Sequence, residues 1–126
     1  MNPELQLNQI AQIAINAHNI ERATAFYRDQ LGMQYLFSAG TLAFFDCGGV
    51  RLMLSLPDKP EFDHPSSILY FKVADIQQAH AVLAARQVRM DAPPRLIAKL
   101  EKVNVWVSSF YDSEGNLLAL MSEVTR

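Results

Sequence analysis

Cysteine is almost missing from this chain. Cys47 is the only one, so no internal disulfide can form and a reducing compartment is expected. Positive charge is not in excess either. Eleven Lys and Arg stand against 13 Asp and Glu, the net charge is −2, and no basic run supports nucleic-acid binding. No apolar run approaches the ~20 residues that cross a bilayer. Met1-Asn2-Pro3-Glu4 lacks the charged-then-apolar pattern of a signal peptide. These absences predict a cytoplasmic protein with neither a nucleic-acid nor a membrane partner. Catalytic motifs are scarce too. There is no Ser or Cys nucleophile motif and no phosphate-cradling glycine loop, and Gly48-Gly49 reads as a turn. His18 ends a strand, His64 lies in a connector and His80 on a helix, at spacings that match no local zinc motif. Nothing near Cys47 in the sequence would lower its pKa. No catalytic residue is named from sequence.

What is present is a repeat. Half of the 126 residues are apolar and 19% are charged, an ordinary globular composition that predicts one domain over residues 1–126. Phe110-Tyr111-Asp112-Ser113-Glu114-Gly115-Asn116-Leu117-Leu118-Ala119-Leu120 reads as strand, tight turn, strand. Residues 44–54 match it at five of eleven positions with a shift of 66, through Phe44/Phe110, Asp46/Asp112, Gly49/Gly115, Leu52/Leu118 and Leu54/Leu120. Upstream, residues 12–27 overlay 68–83 with a shift of 56. In the first copy Ile13, Ile15 and Ala17 alternate with Gln12, Ala14 and Asn16, as in a strand. Asn19 is placed to cap a helix that runs to about Leu31, and Gly32 to stop it. Strands follow at 33–38, 41–46 and 50–56. The second copy begins with a strand over 68–73 and a helix capped by Asp75, with Gln78 as capping-box partner. Ten extra residues fall within 90–102, expected as a long loop, before strands at 103–111 and 117–124. The expected organisation is a first module over about 10–56, an irregular proline-rich connector over 57–66, and a second module over about 67–124. The fold class is α+β, two tandem βαβββ modules forming a concave mixed sheet.

Ile13 to Tyr27, Leu31-Gly32-Met33, Phe71 to Ile76 and Asp112 to Asn116 resemble the vicinal-oxygen-chelate superfamily of glyoxalases, bleomycin-resistance proteins, fosfomycin-resistance enzymes and dioxygenases. The resemblance spans about 10–122 and departs at Ser113, where the family usually has proline. It implies a homodimer and, in the family's enzymes, a divalent metal held from the first and last strands of each module. Carried over, those positions are Gln12, Met53, Ile68 and Ala119. Gln is acceptable there, but Ile and Ala have no donor atom and a Met thioether suits hard cations poorly. The expectation is therefore no metal and no cofactor.

The inward faces supply the candidate ligand-binding residues: Gln12, Asn16, Met53, Ile68, Tyr70, Lys72, Trp106, Leu117, Ala119 and Met121. Asn16 and Lys72 either orient a polar group or sit solvated at a rim. Tyr70 either stacks on a ligand or donates to it. Trp106 is core filler or an aromatic wall, and alternation does not decide its face. Met53, Leu117 and Met121 give an adaptable apolar lining that ordinary packing would also produce. The leading reading is a metal-independent protein that binds an amphiphilic or aromatic small molecule. Two alternatives stand beside it. One is a lyase, isomerase or dioxygenase-type enzyme of the superfamily working through groups such as Gln12, Tyr70 and Lys72. The other is an interaction module with a vestigial pocket.

Overall fold

The computed structural model describes residues 5–125. The first module runs β1 (Gln12–Asn16), α1 (Ile20–Ala25), β2 (Gln34–Ala39), β3 (Leu42–Cys47) and β4 (Val50–Ser55). The second runs β5 (Leu69–Lys72), α2 (Ile76–Ala85), β6 (Arg89–Met90), β7 (Arg95–Lys99), β8 (Val103–Tyr111) and β9 (Leu117–Thr125). The first sheet has the order β1-β4-β3-β2; the second has β5-β9-β8-β6, with β7 also on β8. In each, the first strand pairs parallel to the last and the other pairings are antiparallel. This is the expected α+β pair of βαβββ modules with mixed sheets.

Local chemistry explains the helices. Asn19 Oδ1 accepts from the Arg22 N–H at 2.9 Å, and Asp75 Oδ1 accepts from the Gln78 N–H at 3.1 Å, so both predicted caps form. α1 then widens into a π-helical turn over Phe26–Gln30, closed by the Leu31 N–H on the Phe26 carbonyl at 3.1 Å. The widening lets two adjacent residues, Phe26 and Tyr27, both turn inward, at 5% and 0% exposure. Gly32 ends the segment at φ +71°, a conformation open to glycine.

Three expectations need correction. The segment 90–102 is not a bare loop, because Arg95–Lys99 forms β7, the second module's counterpart of β2. A register shift between Leu96 and Ala98 breaks the alternation that would have revealed it. The connector carries one 3₁₀ turn, Pro60–Phe62, which proline at its first position favours. The repeat also slips by one residue ahead of the turns. Leu52 lies opposite Phe45, whereas Leu118 lies opposite Phe110, so Phe45 rather than Phe44 corresponds to Phe110. The shift of 66 holds after the turns, where Met53 and Ala119 occupy equivalent places.

The helix faces of the two sheets share one hydrophobic cluster. Ile15, Tyr27, Phe45 and Leu52 of the first module join Ile76, Leu83, Phe110 and Leu118 of the second. Burying such side chains contributes roughly 1.5–3 kcal/mol each, so this shared cluster holds the modules together. Among the described residues, no helix is long and apolar enough to cross a membrane.

Candidate ligand-binding faces

Opposite each helix face is an open face. Alternation along β1, β4 and β3 puts Gln12, Asn16, Met53 and Phe44 on the first of these. On the second lie Tyr70, Lys72, Leu117, Ala119 and Met121, with Ser109 and Tyr111 of β8 beside them. Ile68 immediately precedes β5 and is 45% exposed. Trp106 is on the other side. It lies opposite Ser122 and packs against the shared core, so the structure does not bring it together with Tyr70 or Ala119.

The first open face has a roof. Both amide hydrogens of Asn16 are donated to the connector, to the Phe62 and His64 carbonyls, each at 2.7 Å. The Asn16 backbone N–H donates to Ser66 Oγ at 3.3 Å, and His18 Nε2 lies 3.0 Å from Asp63 Oδ1. Beneath the connector is a cavity of about 460 Å³ lined by Asn16, Met53, Ser55 and connector residues including Phe62 and His64. Asn16 is thus a wall whose donors are already committed. Gln12 Nε2 points to Met53 Sδ at 3.6 Å, so these two candidates touch. Further along, the Phe37 and Phe44 rings stack with centroids 4.6 Å apart, and the Arg51 guanidinium lies 5.7 Å from the Phe44 centroid.

The second open face is more polar at one end. Ser109 Oγ donates to Asp91 Oδ2 at 2.8 Å, Tyr111 Oη donates to Asp91 Oδ1 at 3.4 Å, and Arg89 sits 4.1 Å over the Tyr111 ring. Sequence reasoning missed this group. The Ser109-x-Tyr111 alternation was its one available signal, and Asp91 fell in the segment expected to be a loop. Ala119 is only 2% exposed, whereas Tyr70 is 55% exposed and Lys72 is also exposed.

Other candidates stay quiet. Burial and the neighbouring Asp46 push the Cys47 thiol above its usual pKa, opposite to what a nucleophile needs. Ser108 Oγ donates to the Ala92 carbonyl at 2.8 Å, so His80 Nδ1, 2.9 Å away, acts as donor to Ser108. That polarity ties α2 to β8 and is the reverse of a serine nucleophile activated by its base. Among the described residues, no three His, Cys, Asp or Glu side chains gather as a metal group would require.

A fold of paired βαβββ modules, each with one open sheet face, defines a class, and the comparisons agree. The family model for the Glyoxalase/Bleomycin resistance protein/Dioxygenase superfamily matches residues 9–120, and the chain belongs to that superfamily. No curated protein matches the sequence. A superfamily member from Sphaerobacter thermophilus DSM 20745 is similar in structure, with TM-score 0.76, 22% identity, and coverage of 94% of this chain and 100% of that one. A lactoylglutathione lyase from Agrobacterium tumefaciens gives TM-score 0.74 at 20% identity, over 93% and 95% of the two chains. The fosfomycin resistance protein FosX from Listeria monocytogenes gives 0.73 at 18%, over 93% and 94%. At these identities the likeness speaks for the fold alone.

Proposed function

We propose that this chain is a metal-independent small-molecule binding protein of the superfamily, holding an amphiphilic or aromatic ligand against its open faces. The observation that carries this reading is the donor set at the four family metal positions. Gln12 offers one amide oxygen, Met53 a thioether, and Ile68 and Ala119 nothing. Mg²⁺ and Mn²⁺ need several oxygen ligands, and Zn²⁺, Fe²⁺ or Ni²⁺ need imidazole, thiolate or carboxylate. These side chains do not fit such an ion, so no step of a reaction is assigned to one.

The walls support a ligand with apolar or aromatic parts. Phe37 is 46% exposed on top of its stack, and Met53, Met121 and Tyr70 add adaptable and aromatic surface. Apolar area covered on such walls contributes ~25 cal/mol per Å², less the cost of ordering the ligand. A cytoplasmic homodimer belongs to the same reading. Exposed Tyr35 and Leu36 on edge strand β2, and Leu96 and Ile97 on β7, are surfaces a second copy would cover.

Titration with Mn²⁺, Ni²⁺ and Zn²⁺, and separately with the aromatic amphiphile anilinonaphthalene sulfonate, tests the proposal. The expected result is no stoichiometric metal uptake, and saturable probe binding that shifts the amide NMR signals of Met53 and Tyr70. Tight metal binding that shifts Gln12 and Met53 would overturn it.

A further inference from the structure

A second cavity lies behind the second sheet, on the helix face, away from every residue considered above for the ligand. It measures about 450 Å³, within the range of roughly 300–1,000 Å³ typical of small-molecule sites. Phe71 of β5 and Leu120 of β9 form its floor, Ala79 and Leu83 of α2 one side, and Leu31 and Met33 of the first module the other. The sequence explains why it is open. Asp75, Gln78, Ala79, Val82, Leu83 and Arg86 line it from one face of α2, and the small Ala79 side chain leaves space between its larger neighbours.

Its walls are apolar, but one end carries a cation held in place. Arg86 Nη1 donates to the Gln30 carbonyl at 3.1 Å, and Gln30 Nε2 donates back to the Arg86 carbonyl at 2.9 Å. The remaining guanidinium N–H groups meet no acceptor among the described residues. A guanidinium fork matches a carboxylate in shape and charge. The opposing charge in the lining is Asp75, eleven residues back along the helix, about 16 Å at 1.5 Å per residue. Its Oδ1 is already engaged by the Gln78 N–H. The cavity is therefore mainly apolar, with Asp75 and Gln78 as its polar members at one end of the α2 stripe and the Arg86 cation at the other.

We infer that this cavity is a second ligand site, separate from the open faces, and that it takes a small amphiphilic monocarboxylate. The tail lies among Phe71, Leu83 and Leu120, and the carboxylate meets the free edge of Arg86. Octanoate and its uncharged counterpart octanol are the probes, read by titration calorimetry and amide NMR on the full chain. Octanoate is expected to bind saturably, to shift amides along α2 and β5, and to bind about tenfold tighter than octanol, as one charge-assisted contact implies. Arg86→Gln is expected to bring octanoate down to the affinity of octanol and leave octanol unchanged. Ala79→Phe, which fills the space, is expected to abolish both. The wild-type preference for octanoate over octanol decides the matter even if a variant folds poorly. Equal binding of the two probes, no saturable binding, or shifts centred on Met53 and Tyr70 would overturn the site. The last result would leave the open-face proposal standing, so the two inferences fail separately.

Discussion

Asp46 lies near the end of β3, paired with Arg51 ahead of the first hairpin turn, whereas Asp112 opens the second turn, and their surroundings diverge. Asp46 Oδ1 accepts one hydrogen bond, from the Gly49 N–H at 3.3 Å, inside its own turn. Asp112 is 6% exposed and accepts four. Its Oδ1 takes the Glu114 and Asn116 N–H groups, both at 2.8 Å, and its Oδ2 takes Asn116 Nδ2 at 2.9 Å and the Tyr27 hydroxyl at 2.7 Å. Asn116 Nδ2 also donates to the Asn16 carbonyl at 3.0 Å, and Arg22 grips Glu114. The first turn closes a hairpin; the second also fastens its module to the other. The second connection is one residue longer, Phe110 to Leu118 against Phe45 to Leu52, and its carboxylate lies against the Tyr27 hydroxyl. Burial, followed by the Asp112 charge, holds the Tyr27 phenol far above its usual pKa, so it remains a donor at any ordinary pH.

The largest expected effect breaks this asymmetry. Asp112→Ala strands the Tyr27 hydroxyl in a fully buried position and frees the turn. It is expected to cost roughly 3 kcal/mol, read as a lower urea midpoint with little change in slope. Asp46→Ala removes one long bond in an exposed turn and is expected to stay within about 0.5 kcal/mol. Equal costs would show that the second turn is no clamp.

A second contrast sets Met53 against Ala119, equivalent positions on the two open faces. Met53 is half-buried and can turn a longer side chain toward the cavity; Ala119 is 2% exposed. Ala119→Glu forces a longer, charged side chain into a buried position and is expected to destabilise by about 2 kcal/mol or more. Met53→Glu is expected to cost under about 1 kcal/mol. Thermal melts of the two variants give the comparison. A harmless Ala119→Glu would mean that the second face is roomier than its burial indicates.

What was legible in the sequence follows the range of each interaction. Asn19 and Asp75 cap their helices because a cap is a local bond over three residues, and local bonds leave local signatures. The alternation of Ile13 and Ile15, or of Leu52 and Leu54, fixed the faces of β1 and β4 for the same reason. β7 escaped because its bulge disrupts the two-residue period, and Phe44 was matched to Phe110 because identical letters concealed a one-residue slip. The Asp91, Ser109 and Tyr111 group, the Arg22–Glu114 pair and the cavity at Arg86 join residues far apart in the chain. Apart from the alternation of Ser109 and Tyr111, no pattern in the sequence marks such groups. Asn16 was legible as a residue of the open face, but its commitment to the connector was not, since those carbonyls come from a segment without periodicity.

Asn16 and Lys72 offer a third, smaller contrast between equivalent places in β1 and β5. Asn16→Ala removes both bonds to the connector and is expected to cost about 1 kcal/mol, with faster amide exchange across 60–66. Lys72→Ala, on an exposed side chain, is expected to change stability by no more than about 0.5 kcal/mol. Unchanged exchange in the first variant would mean that Ser66 and Asp63 hold the connector by themselves.

The smallest effect is one of pH, and it sharpens the comparison of the turns because only the second has an acid of this kind. Burial by itself would raise the pKa of Glu114. The Arg22 guanidinium, the Asn19 N–H and the Ser113 hydroxyl outweigh it and hold the carboxyl below its usual value. A carboxyl depressed in the folded state contributes stability above its unfolded pKa, and that contribution is lost as pH falls through the folded value. Wild-type stability is therefore expected to decline as pH falls below about 4.3, the ordinary value for Glu. Glu114→Gln keeps the shape of the side chain but not its charge, so it starts less stable at neutral pH and the difference from wild type narrows in acid. Denaturation midpoints measured across that interval provide the check. Parallel curves for the two proteins would mean that the Arg22–Glu114 pair contributes nothing that depends on charge, and that the second turn holds the modules through Asp112 and Asn116.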